Sequence, residues 1–204
     1  MTRSMFILQT VLILMVTAVA PPAIAQNLVV NPNFDTDTMG WDGPGLHDTH
    51  DVDSSPTSGS STYVNTSAGT AGFSFTRQCI TLDAADVGYD ASGWTYVASG
   101  QPATGYAKVS LLWYTDPMCA SFLSAHSFPQ SSVLDSWERS AGQIFKPHMA
   151  QSVNVSAVNQ KFGPGDFQVF FDAMTFEPNH DMIFGGSFES GSTAEWTAVV
   201  QGPS

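Results

Sequence analysis

The chain has 204 residues, with six Lys/Arg against eighteen Asp/Glu and a formal charge of −12 at neutral pH. Such an excess of negative charge repels phosphate backbones and anionic bilayers, so nucleic acid and anionic membrane surfaces are poor partners. Charged residues make up only 12% of the chain and aromatic residues another 12%, a balance that excludes disorder and fits an extracellular domain with a packed core.

Residues 1–25 read as a secretory signal peptide. Arg3 supplies the positive start, and an apolar run over 6–20 is interrupted only by Gln9, Thr10 and Thr17. Pro21-Pro22 ends it, and Ala23-Ile24-Ala25 gives the small-x-small pattern that precedes cleavage. The run is shorter than the ~20 apolar residues that span a bilayer. No later stretch is apolar enough to span, so no membrane insertion is expected after cleavage. Losing Arg3 moves the formal charge from −12 to −13. The remainder divides into a folded domain over 26–178 and a tail over 179–204.

The folded part opens on Asn27-Leu28-Val29-Val30-Asn31-Pro32-Asn33-Phe34-Asp35, with Met39-Gly40-Trp41 a few residues on. Residues 42–60, rich in Gly, Pro, Ser, Asp and His, predict a long loop. Strands are then predicted over 61–64, 72–82, 89–98, 105–114, 136–145, 150–158 and 166–176, each bounded by turn residues. Residues 82–87 suit a single turn, and no segment sustains a helical period. Seven or more short strands with turns between them predict an all-β protein, an antiparallel jelly-roll β-sandwich.

Period-two alternation assigns the faces. Ala107, Val109, Leu111 and Trp113 form one face and should lie in the core; Lys108, Ser110, Leu112 and Tyr114 form the other. Tyr89, Ala91, Gly93, Thr95 and Val97 should turn inward, leaving Asp90, Ser92, Trp94 and Tyr96 outside. Phe170, Asp172, Met174 and Phe176 share parity, which puts an acid in an apolar row. Cys79 and Cys119 are an even pair in an exported chain, so a disulfide is expected, with two separate thiols as the alternative. Neither cysteine has a basic neighbour in sequence that would activate it.

The order of blocks along the chain resembles the CenC-like carbohydrate-binding modules, which have a galactose-binding-like jelly roll. The opening matches their N-L-V-x-N-x-x-F-E…G-W. Further on, Asp53-Ser54-Ser55-Pro56-Thr57-Ser58-Gly59-Ser60, Arg77-Gln78-Cys79-Ile80, Tyr89-Asp90-Ala91-Ser92-Gly93-Trp94-Thr95, Pro147-His148-Met149-Ala150-Gln151-Ser152-Val153 and Val169-Phe170-Phe171-Asp172-Ala173-Met174-Thr175-Phe176 follow in the same sequence. The similarity covers about residues 27–177. Asp35 stands where the family has Glu, and Ala173 replaces the second acid of the closing pair.

The resemblance implies one structural Ca²⁺ between the first and last strands, with Asp35 and Asp172 as side-chain ligands and backbone oxygens near Asn33. The alternative is that Asp172 bonds only backbone amides and Asp35 caps a turn. Hard cations take six to eight oxygens, which loops and carboxylates supply. It also implies a glycan or cell-surface polysaccharide as partner. Aromatic platforms with a few polar groups suit pyranose rings, and Trp94, Tyr96 and Tyr114 with Lys108, Ser110 and Asn154 are expected to line one concave sheet. Alternatively, Trp94 and Tyr96 lie beneath the loop over 42–60 or beneath the tail.

Catalytic readings have little support. No G-x-S-x-G elbow precedes a Ser/His/Asp set, and paired glycosidase carboxylates are lacking. His47-Asp48-Thr49-His50-Asp51-Val52-Asp53 holds ligand types but follows no known metal spacing. Met182-Ile183-Phe184-Gly185-Gly186-Ser187-Phe188-Glu189-Ser190-Gly191-Ser192-Thr193-Ala194-Glu195-Trp196 resembles a short tail of exported bacterial proteins. It reads either as a sorting or attachment tag, or as an apolar flap or the start of a second module. The expected function is a secreted, non-catalytic carbohydrate-binding-like module; the alternative is a structural or adhesive surface protein without a sugar site.

Overall fold

The computed structural model describes residues 26–179. The signal-peptide segment and the tail motif from Met182 onward lie outside the described residues. Nine strands follow in chain order: β1 Leu46–Asp48, β2 Ser60–Asn65, β3 Ala71–Thr81, β4 Gly88–Val97, β5 Thr104–Tyr114, β6 Phe122–Ser127, β7 Trp137–Phe145, β8 Ser152–Phe162 and β9 Phe167–Pro178. They build a five-stranded sheet in the order β1-β2-β9-β4-β7 and a four-stranded sheet in the order β3-β8-β5-β6. Every pairing between these strands is antiparallel, as the sandwich reading requires.

The seven predicted strands are present as β2 to β5 and β7 to β9. Two others escape the pattern. β1 is three residues long inside the 42–60 loop, and β6 is a short edge strand that pairs only with β5. An edge strand packs on one side only, so its apolar alternation is weak.

Alternation places the core as expected. Ala107, Val109, Leu111 and Trp113 of β5 meet Val153, Val155 and Ala157 of β8 and the inward residues of β4 and β9 in one cluster. Lys161 is buried with them, its ammonium donating to the carbonyls of Ser67 and Gly165. Those bonds replace the water a buried ammonium loses.

The opening motif is not a ladder strand. It is stitched down by side chains: Asn27 donates to the Met174 carbonyl (3.0 Å) and accepts from the Phe176 amide (3.0 Å). Gln78 of β3 donates to the carbonyls of Val30 (3.1 Å) and Gly40 (2.8 Å) and accepts from the Val30 amide (2.8 Å). Phe34 is fully buried against Trp41, ring centroids 5.2 Å apart, and the Trp41 indole donates to the Asn31 carbonyl (3.1 Å). The Asn, Phe and Trp of the motif therefore form one corner that ties the chain start to β3 and β9.

One face assignment is corrected. β4 pairs with β9 as Ser92↔Thr175 and then Trp94↔Asp172, so β9 carries an extra residue at Ala173. Ala173 has φ 46°, a left-handed backbone that costs a Cβ-bearing residue roughly 1 kcal/mol or more. The bulge inverts parity. Phe176 and Met174 point into the core on one side of it; Phe171, Val169 and Phe167 do so on the other. Asp172 is thus not in the apolar row but on the outer face of the five-stranded sheet, across from Trp94.

Candidate functional site

The outer face of the four-stranded sheet follows from the same alternation. β5 contributes Tyr106, Lys108, Ser110, Leu112 and Tyr114, and β8 contributes Ser152, Asn154, Ser156, Val158 and Gln160 opposite them. A cross-strand row runs Arg77 (β3), Ser156 (β8), Ser110 (β5) and Ser127 (β6). The middle of the face sets the buried polar side chains of Ser110, Ser156 and Asn154 among half-buried Leu112, Val158 and Lys108. Ser110 and Ser127 share a hydrogen bond of 2.9 Å, while the Ser156 Oγ is buried with no partner. Aromatic pairs stand at both ends: Tyr106 with Phe162 (5.7 Å) and Tyr114 with Phe122 (6.1 Å). Phe122 and Phe162 are 61% and 45% exposed, so these rings face water. Asn154 donates to the Tyr114 hydroxyl at 3.0 Å and fixes its orientation.

The end near Tyr114 is closed by the turn over 115–121. The Cys79–Cys119 disulfide binds it to β3, with Cα atoms 6.1 Å apart. Ser152 donates to the Asp116 carbonyl (2.6 Å) and accepts from the Cys119 amide (3.2 Å); Thr81 donates to the Pro117 carbonyl (3.2 Å). Asp116 turns onto its own loop and accepts the amides of Met118, Ala120 and Ser121. Those amide bonds, Ser121 first, hold its carboxyl below the usual carboxylate range. Beside Lys108 a cavity of about 600 Å³ opens between β6 and β7, reaching His126, Pro129 and Gln130.

Trp94 and Tyr96 do not join this face. They are on β4, in the other sheet, so the six expected aromatic and polar residues divide between opposite sides of the sandwich. Sequence parity shows which side of its own strand a residue takes, not which sheet the strand enters. Tyr96 is covered by His50 of the long loop, centroids 4.3 Å apart, and His50 also meets Trp137 (5.3 Å) and Phe170 (5.1 Å). The Tyr96 hydroxyl donates to Asp135 (3.2 Å), and burial with that bond raises its pKa. The His50 contact is a loop latch, and the sequence shows His50 only as one of two His within a Gly/Pro/Ser-rich stretch. Trp94 is half-buried beside Arg139 and Asp172. A cleft of about 570 Å³ at one end of the sandwich, near Met149, is less suited to sugars. Its Asp86 already accepts from Tyr89 (2.9 Å), and its Lys146 donates to the carbonyls of Asp83 (2.7 Å) and Ala84 (3.0 Å).

Asp172 accepts two amides, Val52 N to Oδ2 (3.1 Å) and Ala173 N to Oδ1 (2.6 Å). Burial nevertheless pushes its pKa up to about 6, with the nearby charges of Asp51 and Asp53 adding to the rise. The Asp51 Oδ2 is buried without a partner. Near this loop, a Cβ on Gly59 would lie 2.5 Å from the Asp48 carbonyl and 3.1 Å from that of Phe34, so the backbone there must be bare. Unpaired carboxylate and carbonyl oxygens are the donor types a hard cation takes. Asp35 is exposed and directly follows Phe34. The acids found acting on Asp172 are Asp51 and Asp53, which the sequence shows only as members of an acidic loop. Among the described residues, no three His, Cys, Asp or Glu side chains converge as a metal cluster.

No protein-family model matches the chain, and no curated protein matches it in sequence. Solved structures match it in fold. The CBM22-1 xylan-binding domain of Paenibacillus barcinonensis Xyn10C superposes with a TM-score of 0.54 at 12% identity, over 76% of this chain and 95% of that one. A family 16 carbohydrate-binding module gives 0.52 at 15% identity, over 74% and 99%. The enzymatically active domain of bacteriophage CBA120 tailspike protein 4 gives 0.57 at 12% identity; 75% of this chain is covered, but only 21% of the tailspike. At these identities the likeness is one of fold, a β-sandwich shared with carbohydrate-binding modules.

Proposed function

We propose that the protein is a secreted, non-catalytic carbohydrate-binding module of the CenC-like kind. A glycan or cell-surface polysaccharide lies along the outer face of the four-stranded sheet, with Tyr114, Lys108 and Asn154 among its contacts. The observation that carries this reading is the layout of that face: a mixed floor of Ser, Asn, Leu and Val side chains with Lys108, between two aromatic pairs. Rings stack on the apolar faces of sugars, and hydroxyls and amides bind their edges. The sandwich shared with a xylan-binding domain supports it.

A structural Ca²⁺ belongs to the same proposal. Asp172 and the unpaired oxygen of Asp51 would hold it, with the carbonyl of Phe34 on the opening segment, while Asp35 stays exposed. The ion would fasten the 42–60 loop and the chain start to β9.

A glycan array on the exported protein should give hits, and titration calorimetry on the best one should lose at least tenfold in affinity for Tyr114→Ala and for Phe122→Ala. Phe122 is exposed, so its removal leaves the core intact. Trp94→Ala should bind as the parent does. An array without hits would favour the structural or adhesive reading.

A further inference from the structure

The carboxylates of this protein are unevenly placed. β3, β5, β6 and β8 contain no Asp or Glu, although the chain has eighteen. All four acids that lie within longer strands, Asp90, Glu138, Asp172 and Glu177, are in the other sheet. The same acid-free face carries two of the chain's six Lys/Arg, Arg77 and Lys108. Neither forms an ion pair among the described residues. Lys108 lies over the Tyr106 ring at 5.6 Å. Two carboxylates come near the rim. Asp42 pairs its backbone with Arg77, without an ion pair between the side chains. Asp116 is spent on the amides of its own turn.

In so acidic a chain, two unpaired cations on one acid-free face are a local inversion of the global field. Long-range repulsion would keep an anionic polymer from every other side. We infer that the ligand of this face is an anionic polysaccharide, one carrying carboxylate or sulfate on its sugars. This rests on the glycan-binding reading above and assigns its substrate class. Arg77 and Lys108 are two strands apart, roughly 10 Å, and displaced by about two residues, some 7 Å, along the strands. They therefore meet charges on different sugars of one chain. Arg77 offers a planar fork to a carboxylate or sulfate, and Lys108 a point charge. Between them in register lie Ser156 and Val158 of β8, with Ser110 in the row of Arg77 and next to Lys108 on its own face.

The test uses matched pairs of polymers that differ in charge: polygalacturonate against its methyl ester, glucuronoxylan against its carboxyl-reduced form, and dextran sulfate against dextran. The anionic member of at least one pair should bind ten times more tightly than its neutral counterpart. Arg77→Gln with Lys108→Gln should remove that preference while leaving the melting temperature unchanged, because both side chains point outward. Preference for the carboxylated or the sulfated polymer then identifies the anion. Equal binding within every pair, a hit only on neutral glycans, or an anionic preference that survives the double substitution would overturn the inference and leave glycan binding standing. Failure to bind any polymer would overturn both.

Discussion

Replacing Cys79 and Cys119 together by serine should lower the melting temperature by on the order of 10 °C. The bond closes a loop with a sequence separation of 40. Chain entropy assigns a closed loop of that length about 4 kcal/mol, if the unfolded chain is otherwise unstructured. For a domain of this size each kcal/mol moves the melting point by roughly 2–4 °C. The local consequence is separate. Without the bond, the 115–121 turn keeps the hydrogen bonds made by Ser152, Thr81 and Asp116 and the Thr115 bonds to the Ser121 carbonyl. Amide exchange should therefore quicken across 115–121 more than across β8. A melting curve that does not move on full reduction, with thiol loss verified by mass, would show that the turn is held by those bonds alone.

Chelation should have the next largest effect. If Ca²⁺ binds only the folded chain, it adds RT ln(1 + [L]/Kd), about 2.7 kcal/mol at a hundredfold excess over Kd. EDTA should then cost roughly 5–10 °C, and calcium should restore it. The pH dependence gives a second signature. The folded pKa of Asp172 is raised from 3.8 to about 6. Between those values the native state holds a proton that the unfolded state releases. In EDTA, this group's contribution is fully present below the unfolded value and is lost as pH rises through about 6. Calcium competes with that proton, so it should matter most above pH 6 and fade below it. Asp172→Asn should remove both the calcium response and this pH slope. Identical melting curves with EDTA and with calcium at pH 7.5 would leave Asp172 as a carboxylate held only by the Val52 and Ala173 amides.

Much of the sandwich was legible because a two-residue period is a local property. β5 could be assigned from Ala107, Val109, Leu111 and Trp113 alone, and the disulfide from an even cysteine count behind an opening that reads as a signal peptide. The failures are non-local. The Ala173 bulge inverts β9, and no feature of Phe170 to Phe176 announces an extra residue, since Ala is a poor marker for positive φ. Trp94 and Tyr114 looked equivalent, each an outward aromatic on a strand, but β4 and β5 enter different sheets. The polar half of the candidate site was found because Lys108, Ser110 and Tyr114 share one strand. Arg77 and Ser156 were not, because their adjacency exists only through the β3–β8 and β8–β5 registers. The acids around Asp172 were missed likewise: the loop bearing Asp51 and Asp53 returns to β9 across more than a hundred residues of sequence.

Mapping the bound glycan by backbone amide shifts tests the central claim most directly. Isotope-labelled protein would be titrated with an oligosaccharide of the polymer that binds best. The largest shifts should fall on Lys108, Ser110, Leu112 and Tyr114 of β5, on Asn154 and Ser156 of β8, and on Arg77 of β3. Shifts concentrated instead on Trp94, Arg139 and Glu177 of the five-stranded sheet would contradict the account.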